Sequence, residues 1–124
     1  MKEVLIDTNF WIDLVRFRID MDELSSLLQE PYKISTPSVT VNELEKMAKG
    51  RSKSSNFARL ALEMVKLKGI NTIKVKERDA DKALLNIANK NTIIATNDME
   101  LRKRLKSSGI KTIYLRARKH LAMS

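Results

Sequence analysis

The hydrophobic positions of the chain follow two alternating spacings, and this alternation predicts an α/β fold. Five short apolar runs have the length of strands, and they lie at Glu3–Ile6, Lys33–Ser35, Ile70–Val75, Thr92–Ala95 and Thr112–Leu115. The fourth run reads Thr-Ile-Ile-Ala, and consecutive apolar residues are typical of a strand that is buried on both faces. The pattern therefore predicts a sheet whose central strands are covered on both sides.

Between these runs, apolar residues recur every three or four positions, which is the spacing of amphipathic helices. Six helical segments are predicted: Phe10–Arg16, Asp20–Gln29, a helix after Pro37, Ser55–Lys68, a helix through Ala80–Ala88, and Asp98–Ser107. Each of the three glycines follows a predicted helix, so we expect each to end its helix in the left-handed conformation. Alternating strands and helices predict a parallel sheet in a three-layer α/β/α sandwich, formed by a single domain over residues 1–124.

The composition narrows the classes of function. Lys and Arg number 24 against 15 Asp and Glu, which gives a formal net charge of +9. This charge favours polyanionic partners, although a solvated basic surface explains the same count. The chain has no cysteine, which excludes disulfides and thiolate metal sites and fits the cytoplasmic location that we expect. No apolar run approaches the ~20 residues of a membrane span, so no membrane partner is expected.

Four acidic residues map to one edge of the predicted sheet. Asp7 directly follows the first strand, and Glu43 lies about one turn into the third helix. Asp81 lies in the opening turn of the fifth helix, and Asp98 begins the sixth helix just after the fourth strand. Ligands of open parallel sheets bind beyond the carboxyl ends of the strands. We therefore expect the fold to bring these four carboxylates together.

Each acid also has a local explanation. The stretch Thr40–Glu43 fits a helix-capping box, and Asp98 has the position of a helix N-cap. Asp79 and Asp81 both fit the start of the fifth helix, so they compete for the same role. Asp7 could cap the helix that follows it. Capping explains Asp7 less well than the other acids, because a carboxylate at the end of a buried strand is costly unless cations or hydrogen-bond donors accompany it.

Taken together, the four carboxylates predict a metal site. Clustered carboxylates repel one another, and a divalent cation relieves the repulsion. Oxygen ligands without cysteine or histidine point to Mg²⁺ or Mn²⁺, as one or two ions. Four neighbouring polar residues are expected to orient the carboxylates and water, with local turn formation as the alternative: Thr8, Asn9, Thr96 and Asn97.

In their order and spacing, four segments of the chain resemble the PIN-domain nucleases: VLIDTNFW, TPSVTVNELEKMAKG, ADKALLNIA and IIATNDMELRKRLKSSGIKTIYLR. The resemblance implies a five-stranded parallel sheet in the order 3-2-1-4-5 and Mg²⁺- or Mn²⁺-dependent cleavage of RNA. It places the metal-binding and catalytic acids of the family on Asp7, Glu43, Asp81 and Asp98. Asp81 is preferred over Asp79 because the family acid lies two residues before the Ala-Leu-Leu of the helix.

The segment around Asp98 resembles stand-alone archaeal proteins related to the ribosomal-RNA-processing PIN nucleases more than the VapC toxins. The expected function is therefore a divalent-metal-dependent endoribonuclease in ribosomal RNA processing. A VapC-type toxin and a non-catalytic RNA-binding protein are the alternatives. Expected partners are RNA, a pre-ribosome or an antitoxin, and a second copy of the chain that contacts the early helices. Phe10 and Trp11 are expected to serve either the core or this dimer contact. Basic residues expected to bind the RNA backbone are Lys46, Arg51, Arg102, Lys103, Arg104, Lys106, Arg116 and Arg118.

Overall fold

The computed structural model describes all 124 residues, which form six strands and six helices. The elements are β1 Lys2–Ile6, α1 Thr8–Arg16, α2 Glu23–Leu28, β2 Tyr32–Pro37, α3 Ser38–Ala48, α4 Lys53–Leu67, β3 Asn71–Ile73, α5 Ala80–Ile87, β4 Thr92–Ala95, α6 Met99–Ser107, β5 Lys111–Arg116 and β6 His120–Met123. All five predicted strands and all six predicted helices are present, although β3 and α2 are shorter than predicted. None of the helices has the length and apolar character that a membrane-spanning segment requires.

The strands form one sheet in the order β3-β2-β1-β4-β5-β6. The first five strands of this order are parallel to one another, which confirms the predicted order 3-2-1-4-5. Strand β1 lies in the middle, with Val4 beside Ile34 of β2 and Ile93 of β4. The strand order reverses between β1 and β4, and this is the point at which open parallel sheets bind ligands.

The prediction of five strands missed β6, which pairs antiparallel with β5 and covers its free edge. The turn between them has left-handed backbone at Ala117 (φ 52°) and Arg118 (φ 56°), and the Lys119 N–H donates to the Arg116 carbonyl. Such turns usually contain Asn-Gly or Asp-Gly, because those residues adopt positive φ most easily. This chain has Ala-Arg there, so its sequence carries no hairpin signal.

The core lies on both faces of the sheet. Val4 and Ile6 of β1 belong to the larger cluster of 18 buried residues, which α1, α2 and α4 help to form. Leu5, between them, belongs to the smaller cluster on the opposite face, which α5 and α6 complete. Neighbouring residues of a strand point to opposite faces, so this division shows helices on both sides and confirms the three-layer sandwich.

Phe10 and Trp11 belong to this core and not to the surface. They are 1% and 0% exposed, and the Trp11 indole N–H donates to the Thr36 hydroxyl at 3.3 Å. Phe10 and Trp11 therefore serve the core, which was one of their two expected roles, and they offer no surface for a dimer contact. Their apolar character reflects packing between α1 and the sheet.

The prediction for the glycines was correct at two of the three positions. Gly69 and Gly109 have positive φ, as expected after α4 and α6. Gly50 does not adopt this conformation. A Cβ atom at Gly50 would lie only 2.5 Å from the Ser55 Oγ, so a larger residue there would force the Ser55 hydroxyl or the loop to shift.

Candidate active site

Asp7 lies at the end of the central strand and forms the N-cap of α1. Asp7 is only 5% exposed. One carboxylate oxygen, Oδ1, accepts the Thr8 N–H at 2.8 Å, and the other, Oδ2, accepts the Thr96 hydroxyl at 3.0 Å. The Asp7 N–H donates to the Ala95 carbonyl at 3.0 Å. These bonds fix the carboxylate between the ends of β1 and β4.

The surroundings of Asp7 disfavour its negative charge. Burial is the main reason that its pKa rises from 3.8 to about 6, and the charges of Asp81 and Glu43 add to the rise. Hydrogen bonds from Thr96 and Thr8 act in the opposite direction and lower the pKa. The two salt bridges of the chain, Lys33–Glu3 and His120–Glu23, do not involve Asp7. Asp7 is therefore a buried carboxylate without a cationic partner.

Asp81 extends this group of like charges. It lies in the first turn of α5, where partial burial and then the charges of Asp98 and Asp79 raise its pKa, while Arg104 lowers it. Asp7 interacts with Glu43 and Asp81, and Asp81 interacts with Asp98. The fold thus places the four acids close enough at one edge of the sheet for their charges to interact.

The four carboxylates interact electrostatically, but their side chains are not close enough to form a preformed metal site. No three acidic or histidine side chains lie close enough together to enclose a metal ion. Asp98 Oδ1 caps α6 by accepting the Glu100 and Leu101 N–H groups. The chemistry of the donors nevertheless fits Mg²⁺ or Mn²⁺, because the group consists of carboxylate oxygens and its central member is buried without a cation.

Asp79 and Asp81 differ in their surroundings. Asp79 is exposed and forms the N-cap of α5, with its Oδ1 accepting the Asp81 N–H at 2.9 Å. The charge of Asp81 raises the pKa of Asp7, whereas Asp79 is not among the causes of that rise. The electrostatics therefore agree with the preference for Asp81.

Two threonines connect the acids to the rest of the site. The Thr96 hydroxyl donates to Asp7 and accepts the Asp98 N–H at 3.1 Å, so one side chain links two of the acids. The Thr8 hydroxyl donates to the Thr40 hydroxyl at 3.3 Å, and Thr40 lies one turn before Glu43 on α3. Sequence reasoning considered Thr40 only as a helix cap, because nothing local shows its contact with α1.

Neither asparagine side chain makes a hydrogen bond to the four acids. Asn9 is exposed. Asn97 turns away from the site: its Nδ2 donates to Asp13 Oδ2 at 2.8 Å, and its Oδ1 accepts the Leu115 N–H at 2.7 Å. The expectation that Asn97 orients a carboxylate of the site was wrong, because its amide joins α1 to β5. Sequence reasoning missed Asp13, which lies 84 residues from its partner.

Some of the predicted basic residues lie beside the acids. Lys46 lines a cavity of about 420 Å³ together with Glu43, Lys76 and Arg78, which we call the Glu43 cavity. Sequence reasoning did not select Lys76 or Arg78. Arg102 instead packs its guanidinium over the Tyr114 ring, 3.8 Å from the ring centroid. The other predicted basic residues are exposed, and they are Arg51, Lys103, Arg104, Lys106, Arg116 and Arg118.

Comparisons with known proteins agree with this architecture. Ribonuclease VapC4 of Methanocaldococcus jannaschii is 32% identical over 124 residues, which cover 97% of this chain and 95% of the relative. The PIN domain endonuclease Utp24 has the same fold, with a TM-score of 0.81 at 23% identity over 98% of this chain and 90% of Utp24. VapBC-1 from nontypeable Haemophilus influenzae matches with a TM-score of 0.57 at 16% identity, over 85% of this chain and 93% of that one.

The family model described as a PIN like domain matches residues 4–118, which include all four acids. The match begins within β1 and ends in the turn after β5, so it includes residues of all five parallel strands. With this match and the similarity to VapC4, the chain belongs to the PIN-domain family.

Proposed function

We propose that this protein is an endoribonuclease that requires Mg²⁺ or Mn²⁺, with Asp7, Glu43, Asp81 and Asp98 as the metal-binding and catalytic acids. The observation that carries the proposal is the buried Asp7 carboxylate, which has acidic neighbours and no cationic partner. A divalent cation would offset both the burial of this charge and its repulsion from Asp81 and Glu43. The similarity to a ribonuclease, VapC4, supports RNA as the substrate.

The residues of the site have distinct tasks in hydrolysis of a phosphodiester. When bound, a divalent ion supplies positive charge at the phosphate and activates water for attack on phosphorus. Asp7 would bind the ion from the end of β1, while the Thr96 hydroxyl donates to Asp7 Oδ2 and connects it to the start of α6. The other three acids, Glu43, Asp81 and Asp98, would complete the ligand set, and one of them would accept the proton that water releases.

Basic side chains around the acids would hold the RNA backbone. Lys46, Lys76 and Arg78 line the Glu43 cavity together with two acids, Glu43 and Glu77, so a phosphate that enters it meets more cations than anions. The formal net charge of +9 favours approach of a polyanion, and affinity based on phosphate contacts falls as salt rises. We expect Arg102 to contribute less to RNA binding than Arg104, because the Arg102 guanidinium packs against Tyr114.

The proposal is tested by incubating defined RNAs with the protein in Mg²⁺, in Mn²⁺ and in EDTA. We expect internal cleavage with either metal, none in EDTA, and none with Asp7→Asn. Asp22→Asn is the matched control, because Asp22 is exposed at the opposite edge of the sheet and its side chain makes no cap hydrogen bond. Full activity of folded Asp7→Asn would contradict the site. Metal-independent RNA binding without cleavage would support the non-catalytic alternative.

A VapC-type toxin is the second candidate, and the 32% identity to VapC4 favours it. Its partner would be an antitoxin, whereas a role in ribosomal RNA processing would bring the protein to a pre-ribosome. The two roles predict different effects of expression in cells. A toxin arrests growth, and Asp7→Asn abolishes the arrest. A processing nuclease leaves growth unaffected, and its loss causes precursor ribosomal RNA to accumulate.

A further inference from the structure

A second basic cavity opens beside the acids, on the side opposite the Glu43 cavity. Its volume is about 260 Å³, and we call it the Arg118 cavity; its lining residues are Asp13, Arg16, Phe17, Asn97, Leu115 and Arg118. Asn97 directly follows Thr96, whose hydroxyl donates to Asp7. The Asn97 amide turns from the acids toward this cavity, which therefore lies at the end of β4 on the β5 side, whereas Glu43 follows β2 on the other side of β1.

Two arginines of the cavity have no anionic partner in the protein. The guanidinium carbon of Arg16 lies 4.9 Å from the centroid of the Phe17 ring, and that of Arg118 lies 5.5 Å from it. Both arginines are exposed, and neither takes part in the two salt bridges of the chain. Contact with an aromatic ring restricts each guanidinium while leaving its N–H donors free, so less conformational entropy is lost when an anion binds.

The backbone around the cavity is held by specific contacts. Arg16 lies in the last turn of α1, and Arg118 lies in the left-handed turn between β5 and β6. The Asn97 amide bonds to Asp13 of α1 and to the Leu115 N–H of β5, so it ties together the elements that carry the two arginines. Asp13 is the one acid of the lining, and its Oδ2 already accepts the Asn97 Nδ2–H. Two cations therefore face one anion.

We propose that the Arg118 cavity binds one phosphate of the RNA backbone next to the bond that is cut, with Arg16 and Arg118 as its ligands. This proposal rests on the proposed function, and it adds a subsite and the path of the strand. In this proposal the RNA strand runs along the edge of the sheet from the Glu43 cavity, past Asp7, to the Arg118 cavity. Guanidinium groups match phosphate oxygens in a bidentate geometry. Both guanidiniums lie over the Phe17 ring, where a base would otherwise stack, so the cavity favours a phosphate over a base.

The first test compares Arg16→Gln, Arg118→Gln and the double variant in steady-state cleavage of a single-stranded RNA. Lys68→Gln is the control, because Lys68 is exposed and lines a cavity at the opposite edge of the sheet. We expect KM to rise about tenfold for each arginine with little change in kcat, because a charged hydrogen bond to phosphate is lost. The slope of log affinity against log salt should fall by about 0.7 for each lost contact. Unchanged KM in both arginine variants would overturn the subsite.

The second test uses RNAs that each carry one uncharged methylphosphonate linkage. At one position near the cut, the uncharged linkage should weaken binding of the RNA to the natural protein. The same RNA should bind the double variant no more weakly than the unmodified RNA does. Equal sensitivity at every linkage would refute a discrete subsite. If the natural protein cleaves no RNA, the proposed function fails, and fluorescence anisotropy of the same RNAs in EDTA still decides the subsite. Arg16→Lys and Arg118→Lys, with thermal unfolding of all variants, separate lost phosphate contacts from misfolding.

Discussion

Replacing Asp7 with asparagine should stabilise the protein while it removes activity. Asparagine resembles the protonated acid in size and can keep the bond from the Thr8 N–H, but it cannot carry the negative charge. Asp7 is buried, and its pKa is raised from 3.8 to about 6. The folded protein therefore holds the proton of Asp7 more tightly than the unfolded chain does, and ionisation of Asp7 opposes folding.

The size of the effect follows from this difference in pKa and depends on pH. Each pKa unit corresponds to about 1.4 kcal/mol, so the rise from 3.8 to about 6 costs about 3 kcal/mol once the pH is well above 6. The cost is nearly absent below pH 3.8, grows as the pH rises from 3.8 to about 6, and is almost complete above about 6. By linkage, Asp7→Asn should raise the free energy of unfolding by about 3 kcal/mol at about pH 7.5 and by about 1 kcal/mol at about pH 4.5.

The assay is urea unfolding of both proteins in EDTA at the two pH values, followed by circular dichroism. EDTA is needed because a bound divalent ion would stabilise the natural protein and reduce the difference. Asp22→Asn serves as the control, since an exposed acid should change the free energy of unfolding by less than about 0.5 kcal/mol.

The decisive quantity is how much the stability difference between Asp7→Asn and the natural protein changes from one pH to the other. Any constant effect of asparagine on packing or hydrogen bonding cancels in that comparison. An advantage of Asp7→Asn that is equal at both pH values would refute the assignment of a raised pKa to Asp7. A lower stability of Asp7→Asn near neutral pH, together with lost activity, would show that the residue serves mainly to hold the fold.

Three further predictions concern the site and the loop after α3. Metal affinity of the natural protein should fall as the pH drops through about 6, because Asp7 takes up a proton; isothermal titration with Mn²⁺ measures this. Thr96→Val should raise the pKa of Asp7 and move the acid limb of the activity profile to higher pH, while Thr96→Ser should not. Gly50→Ala should lower stability by about 1 kcal/mol through contact with the Ser55 hydroxyl, and Ser55→Ala should relieve the loss in thermal unfolding.

The order of strands and helices followed from the sequence because its causes are local. Each apolar run or helical stripe lies within a few residues, so the pattern locates it without knowledge of the fold. The position of Asp7 at the end of a buried strand was a consequence of the same pattern. Strand β6 escaped prediction because its turn, Ala117-Arg118, adopts positive φ without the residues that usually signal it.

Sequence by itself determined the strand order, through the resemblance to the PIN domain, and the choice of four acids. Tertiary structure alone decided what surrounds them. The bonds from Thr8 to Thr40 and from Asn97 to Asp13 join residues 32 and 84 positions apart, and no local pattern encodes such pairs. The raised pKa of Asp7 likewise depends on burial and on charges from distant segments. These properties depend on distances in space, which exist only once the chain has folded.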